Sequence, residues 1–334
     1  MTGKEDITMR KIKWGVLGTA GIAQSQTIPG MLEAENCELY AVAGRSLEKA
    51  EAFKAEFGFE KAYGSYQEML DDPQVEAVYI PLPNELHMEW TIKTLEAKKH
   101  VLCEKPLAPN VNDVQKMFDA AKANGVLLME AFAYLHSPYV SALKQELEKG
   151  TIGDVVYMES AFVTGTYDVS NIRMRRETFG GAMYDLGCYN VSLALWLMGK
   201  EPSEVQATAL YSPLGVDDYS SALLMFDGGV RAALESGMVL PKGGDVQRLD
   251  RVRVYGTKGY IKSETQFNQA GEVGYTVCAN GEVIEKKLFA PQNYKLEVEQ
   301  LGRCILDGET PHVSEAFSMM NARTLDRILE KMGY

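Results

Sequence analysis

The chain has 334 residues, 46% of them hydrophobic and 24% charged, with a formal net charge of -12. That length exceeds what one compact core holds and suits two domains, while the acidity sets the surface against phosphate backbones and excludes nucleic acid as a partner. No apolar run approaches the ~18–20 residues that span a bilayer, so no membrane partner is expected. The polar stretch Met1 to Lys13 lacks the apolar core of a signal peptide, and the expected location is cytoplasmic.

From Lys11 to about Met129 the pattern alternates strand and helix. Ile12 to Leu17 reads as a buried strand ending at Gly18, followed by a helix closed near Pro29-Gly30. Strands follow at Glu38–Ala43, Val75–Pro81, Val101–Glu104 and Val126–Glu130. Between them lie helices at Leu47–Phe57, with Ser46 as N-cap and Gly58 as stop, at Tyr66–Leu70, Asn84–Ala97 and Asn112–Asn124. Repeated βα units predict a doubly wound parallel sheet. Beyond Ala131 one helix, Pro138–Lys149, leads into strand-like segments at Val155–Thr164, Val205–Tyr211, Ser220–Phe226, Val230–Ser236, Val252–Tyr255 and Gly274–Val277. Asp227-Gly228-Gly229 marks a hairpin, and helices close the chain near Tyr294–Leu306 and Ser314–Met332. The expectation is an α/β domain over residues 10–130, then an α+β domain over 131–334 with a large, mostly antiparallel, open-faced sheet, and a C-terminal helix that packs back on the first domain.

The turn after the first strand, Gly18-Thr19-Ala20-Gly21-Ile22-Ala23, fits the Rossmann dinucleotide fingerprint at its first and last positions. Ala20 replaces the middle glycine, where backbone approaches a pyrophosphate, and Gly21 beside it adds freedom. An NAD enzyme places an acid at the end of the second strand, to bond the ribose 2′-hydroxyl. This chain has Gly44-Arg45-Ser46 there. Arg45 and Ser46 suit a 2′-phosphate, which favours NADP(H) over NAD(H); a solvated Arg and a helix cap are the alternative. The five cysteines are odd in number with no C-x-x-C pair, and no two of the four histidines stand at a zinc-motif spacing. Free thiols in a reducing compartment, and no metal, are expected.

Leu102-Cys103-Glu104-Lys105-Pro106-Leu107 resembles the E-K-P motif of the glucose–fructose oxidoreductase, inositol dehydrogenase and MocA family. Tyr79-Ile80-Pro81-Leu82-Pro83-Asn84-Glu85-Leu86-His87 resembles its nicotinamide-side turn. Gly180-Gly181-Ala182-Met183-Tyr184-Asp185-Leu186-Gly187-Cys188-Tyr189 resembles its G-G-x-x-x-D-x-G-x-H/Y segment, and Gly256-Thr257-Lys258-Gly259-Tyr260-Ile261 a late strand. Tyr189 at the last position is similar to the branch with dihydrodiol dehydrogenases, NADP-dependent sugar dehydrogenases and glucose–fructose oxidoreductase. Leu135 departs from the Arg expected in several sugar-oxidising relatives.

The resemblance implies hydride transfer between NADP(H) and a small polyhydroxylated substrate: an aldose, a polyol or a trans-dihydrodiol. It places Lys105 beside Tyr189 as the acid–base pair, with the ammonium drawing the phenol pKa down from about 10. Which of the two is the immediate acid–base group stays open. Asp185, four positions before Tyr189, shares its face if the segment is helical and is assigned to orient a substrate hydroxyl. Pro81, Leu82, Asn84, His87 and Glu104 are assigned to the cofactor, and Arg173 and His136 to the substrate. The resemblance also implies a homodimer or homotetramer through the second sheet. A catalytically silent, NADP-sensing regulator is the competing reading.

Overall fold

The computed structural model describes residues 10–334; the rest of the expected polar N-terminal stretch lies outside the described residues. Six strands, β1 (Ile12–Leu17), β2 (Cys37–Ala43), β3 (Lys61–Tyr63), β4 (Ala77–Ile80), β5 (His100–Glu104) and β6 (Leu128–Ala131), form one sheet in the order β3-β2-β1-β4-β5-β6. Every pairing is parallel. Helices α1 (Ile28–Glu33), α2 (Leu47–Phe57), α3 (Tyr66–Asp71), α4 (Asn84–Glu96) and α5 (Val111–Asn124) connect them. The central strands are buried along almost their whole length, because a parallel sheet is covered on both faces. The strand order reverses between β1 and β4, and ligands of open α/β sheets bind beside the carboxyl ends at such a point.

The first helix departs from expectation. Pro29-Gly30 does not end it; the helix runs on to Glu33, preceded by a π-helical turn at Ala23–Thr27. Pro29 lies within a helical run that is continuous from Gly21 to Glu33, just after the π-helical turn, and such a widened turn is one way a helix accommodates a residue without an N–H.

The second half contains α6 (Pro138–Glu148), β7 (Val155–Gly165), α7 (Cys188–Met198), β8 (Glu204–Tyr211), β9 (Asp217–Met225), β10 (Arg231–Leu240), β11 (Arg248–Gly256), β12 (Gly259–Ser263), β13 (Gly271–Ala279), β14 (Glu282–Ala290), α8 (Asn293–Asp307) and α9 (Glu315–Met332). Its eight strands run β14-β13-β12-β11-β7-β10-β9-β8. All neighbours are antiparallel except β7 and β10. Burial alternates along β9 and β11, so one face packs inward and the other is left open. The inward face meets α7, which is apolar all round and buried between the sheet and α9. Gly228 and Gly229 turn the expected hairpin with φ of 88° and 82°.

The last two helices return to the parallel sheet. Asn36 Nδ2 donates to the Glu299 carbonyl at 2.9 Å, and the Val111 amide donates to Asp326 Oδ2 at 2.9 Å. These bonds join α8 and α9 to the layer around α1 and α5.

Candidate active site

The turn between β1 and the first helix has the shape a dinucleotide requires. Gly18 takes φ of 118°, and a Cβ there would stand 3.0 Å from Leu82 Cδ2, so glycine is needed and Leu82 closes one side. Thr19 to Ile22 lead into the helix N-terminus, with Ala23 buried behind them. A Cβ on Gly21 would meet nothing within 4 Å, which leaves the backbone approachable beside Ala20. At the end of β2, Arg45 is exposed and near enough to Tyr66 to act on its phenol electrostatically. Ser46 occupies the N-cap position of α2, but its hydroxyl makes no capping bond. The cap is only positional, and the hydroxyl stays available. The residues present therefore fit a dinucleotide carrying an extra phosphate at this strand end.

Lys105 follows β5, with the Lys105–Pro106 bond cis. Its Nζ donates to the Asp185 carbonyl at 2.8 Å and reaches Asp185 Oδ1 at 3.4 Å. The same ammonium lies 4.7 Å from the centroid of the Tyr189 ring, a cation–π contact. Arg173 Nε donates to Asp185 Oδ2 at 2.6 Å. Asp185 sits in a π-helical turn, Met183–Gly187, and Tyr189 in the first turn of α7, so they meet Lys105 by a wider spiral than the α-helical spacing supposed. Three of the expected residues thus converge, with Arg173 beside them.

Their electrostatics differ from the expectation in one respect. Burial works against the Asp185 charge, but Arg173 and Lys105 outweigh it and bring the carboxyl down to about 2. Burial also opposes the Lys105 ammonium, and Asp185 overcomes this, leaving the pKa raised. The Tyr189 phenol is pushed well above its ordinary value by burial and then by Glu104. The ammonium lies over the ring and not at the hydroxyl, so the expected lowering of the phenol pKa by Lys105 does not occur. The site at neutral pH holds an ammonium, a carboxylate, a guanidinium and a neutral phenol.

Other expected residues have different surroundings. Both ring nitrogens of buried His87 face carbonyls, Nδ1 at 2.9 Å from Pro106 O and Nε2 at 2.7 Å from Leu82 O. No ring atom is left to hold a ligand; His87 joins the turn after β4, with buried Pro81 and Leu82, to the segment after Lys105. Asn84 Nδ2 donates to the Phe179 carbonyl at 2.9 Å and so tethers α4 to the loop before Gly180. Glu104 Oε1 accepts from the Tyr79 hydroxyl at 2.6 Å, and its carboxyl is raised by burial. The His136 ring lies 5.0 Å from His312, tilted at 48° to it, and His312 in turn lies 4.7 Å from Trp196. It belongs to that cluster and not to the group around Lys105.

Two models of known domains match the chain: "Oxidoreductase family, NAD-binding Rossmann fold" over residues 12–132, and "GFO/IDH/MocA C-terminal domain" over residues 140–262. The chain belongs to the GFO/IDH/MocA oxidoreductase family. It is similar to D-xylose 1-dehydrogenase (NADP(+)) 2 of Haloferax volcanii, at 36% identity over 95% of this chain and 96% of the relative. It is also similar to trans-1,2-dihydrobenzene-1,2-diol dehydrogenase of Xenopus laevis, at 33% identity over 96% and 98%. Among solved structures, the 3-ketoreductase KijD10 of Actinomadura kijaniata, in complex with NADP and TDP-benzene, superposes with a TM-score of 0.90 at 28% identity, covering 97% of this chain and 98% of that one.

Within this GFO/IDH/MocA site, sequence reasoning passes over several polar residues. Tyr79 links Thr27 to Glu104, accepting from Thr27 Oγ1 at 2.8 Å. Glu130 Oε1 accepts from the Leu107 amide at 3.2 Å, two residues past Lys105. Asn268 Nδ2 lies 3.4 Å from the Tyr189 hydroxyl. Glu130 stands within an apolar strand and Asn268 in a loop, so no local pattern marks them, and Tyr79 opens the quoted turn motif without its hydroxyl's partners being readable there.

Proposed function

We propose that this chain is an NADP(H)-dependent dehydrogenase or reductase that acts on a small polyhydroxylated substrate, an aldose, polyol or trans-dihydrodiol, with Tyr189 as its acid–base group. The observation that carries the reading is the cluster of Lys105, Asp185 and Tyr189 at the carboxyl end of β5, on the same edge of the parallel sheet as the β1 turn with β4 between them. When bound, the nicotinamide supplies or accepts the hydride. Arg45 and Ser46 would hold the 2′-phosphate, and the backbone of Gly18 to Ala23 the pyrophosphate. The NADP named for the xylose dehydrogenase and the ketoreductase supports that choice.

Tyr189, a neutral phenol, can give its proton to a carbonyl oxygen in reduction; in oxidation the phenol first loses its proton to solvent, and the phenolate then takes the proton of the substrate hydroxyl. Lys105 has three N–H bonds; the Asp185 carbonyl and carboxylate take two, and the third is free for the substrate oxygen. That positive charge favours the negative charge that develops there. Arg173 fixes the second oxygen of Asp185. KijD10 has been crystallised with a tyrosine and with a lysine replaced, at positions separated as Tyr189 and Lys105 are, which supports the pairing. The contact between Lys105 and Tyr189 favours catalysis over the sensing alternative, which has no use for it.

We assign cofactor binding to residues 10–130 and the substrate to residues 131–334. The open face of the second sheet, where Tyr157, Tyr255 and Tyr260 line up at 5.9 and 6.1 Å between ring centroids, fits a homodimer or homotetramer interface. Five unpaired cysteines fit the cytoplasm.

The test is NADPH and NADP+ absorbance with a panel of aldoses, polyols, vicinal diones and trans-diols. Turnover is expected for at least one, with Tyr189→Phe lowering kcat by ~10²–10⁴-fold at unchanged NADPH affinity. Micromolar NADPH binding without turnover of any panel member would instead identify a sensor.

A further inference from the structure

We propose that Asn268, in the loop between β12 and β13, is the residue that positions the Tyr189 hydroxyl for proton transfer. The proposal rests on the reading of Tyr189 as the acid–base group.

The loop is built to place one side chain. The Phe267 amide donates to Asp250 Oδ1 at 2.8 Å, and Arg248 Nη2 donates to the Phe267 carbonyl at 2.9 Å. The Phe267 ring packs 5.2 Å from Tyr189 and 4.9 Å from Tyr134. Asn268, next in the chain, has φ of 61°, a left-handed backbone that asparagine tolerates better than most residues. This conformation aims the amide at two phenols at once. Nδ2 lies 3.4 Å from Tyr189 Oη and 3.1 Å from Tyr294 Oη. One N–H is directed to each, so both oxygens accept from Asn268. The Tyr189 O–H hydrogen then points away from Asn268, free for a substrate oxygen.

The other end of the amide is buried: among the described residues Asn268 Oδ1 and Asn293 Oδ1 have no hydrogen-bond partner, and both residues line one cavity of about 20 Å³. A cavity of that size suits one water, which would donate to both oxygens and so keep Nδ2 toward the phenols. Asn268 touches Tyr189 and not the reacting atoms, so it is a positioning residue.

The experiment compares the full chain with Asn268→Gly, Asn268→Asp and Tyr189→Phe, using NADPH and a panel substrate that the parent turns over. Gly accepts the positive φ without a side chain, so its fold is preserved, which melting temperature checks. Asn268→Gly is expected to lower kcat by ~10- to 100-fold, the cost of a misplaced reacting group, with KM for NADPH unchanged. Asp in place of Asn accepts the phenol hydrogen and adds a negative charge, which moves the alkaline limb of the kcat profile to higher pH. A parent-like kcat and pH profile in both variants, while Tyr189→Phe is inactive, overturns the role of Asn268 alone. Full activity of Tyr189→Phe overturns the reading beneath it, and absence of any parental turnover removes both.

Discussion

Lys105 is held by groups that act through its chain neighbours. His87 grips the Pro106 carbonyl and Glu130 the Leu107 amide, so the backbone just after the ammonium-bearing residue is fixed at two successive positions. Glu130 is almost wholly buried, and burial raises its carboxyl from 4.5 to about 7. Its sign is opposite to that of Asp185. Asp185, lowered from 3.8 to about 2, contributes stability above pH 3.8 that is lost as pH falls toward 2. Glu130 binds its proton more tightly when folded, so its contribution is complete below pH 4.5 and is lost as pH rises through 7. Glu130→Gln keeps the oxygen that accepts from Leu107 and removes the titration. Asp217, raised to about 6 by burial, acts in the same direction, so the variant should still decline between pH 5 and 8 but by a few degrees less than the parent. An equal decline in both chains, measured by calorimetry at several pH values, would show that Glu130 does not titrate there.

Gly30 shows how an element can mislead when read alone. Next to Pro29 it reads as a helix stop, yet α1 continues past it. The glycine is required by a neighbour distant in sequence: a Cβ at Gly30 would stand 2.7 Å from the Lys295 amide nitrogen and 2.8 Å from Gln292 Oε1, both at the start of α8. Gly30→Ala should cost ~1–3 kcal/mol by overpacking, a clear fall in melting temperature. Gly21→Ala, whose Cβ meets nothing within 4 Å, should change stability by less than about 1 kcal/mol. Equal stabilities of the two variants would remove the α1–α8 explanation. The same division runs through the other elements. The parallel strands were legible because burial on both faces leaves apolar runs, and the late helices because α8 and α9 have one apolar stripe. β14 was not expected: Glu282, Glu285, Lys286 and Lys287 give it a charged surface, and only its pairing with β13 makes it a strand, as befits a sheet edge. β3 is three residues long and has no pattern of its own. At the site, Lys105, Asp185 and Tyr189 were legible because each lies in a short motif. Their supports were not: Glu130 and Asn268 lie in no motif, and His87, which does, shows its grip on the Pro106 carbonyl only after folding.

At the scale of the molecule, the open face of the second sheet is the largest feature for which a single chain gives no account. Along β9 the outward positions hold Tyr219, Ser221, Leu223 and Met225, all half-buried. Across the sheet, Glu235 accepts from Tyr219 at 2.5 Å and Ser221 at 2.6 Å, and Glu159 pairs with Arg253 at 3.1 Å. The face is thus mixed: internally paired charges lie among aromatic and aliphatic side chains, a composition suited to an interface with a polar rim. A monomer would leave those rings in water, whereas a second copy laid face to face would cover them at the ~10 Å spacing of packed sheets. A two-fold arrangement brings the same patch of each copy together, so one substitution acts twice in a dimer. Tyr255 lies between Tyr157 and Tyr260 in the aromatic row, so Tyr255→Glu would place two new carboxylates at the seam. Light scattering should show the parent as a dimer or tetramer at micromolar concentration, and Tyr255→Glu at half the parent's mass or less. The Lys105 site lies on the covered side of this sheet, so turnover per chain should survive the change. A parent that runs as a monomer, or a variant that assembles as the parent does, would show that this face is not the seam.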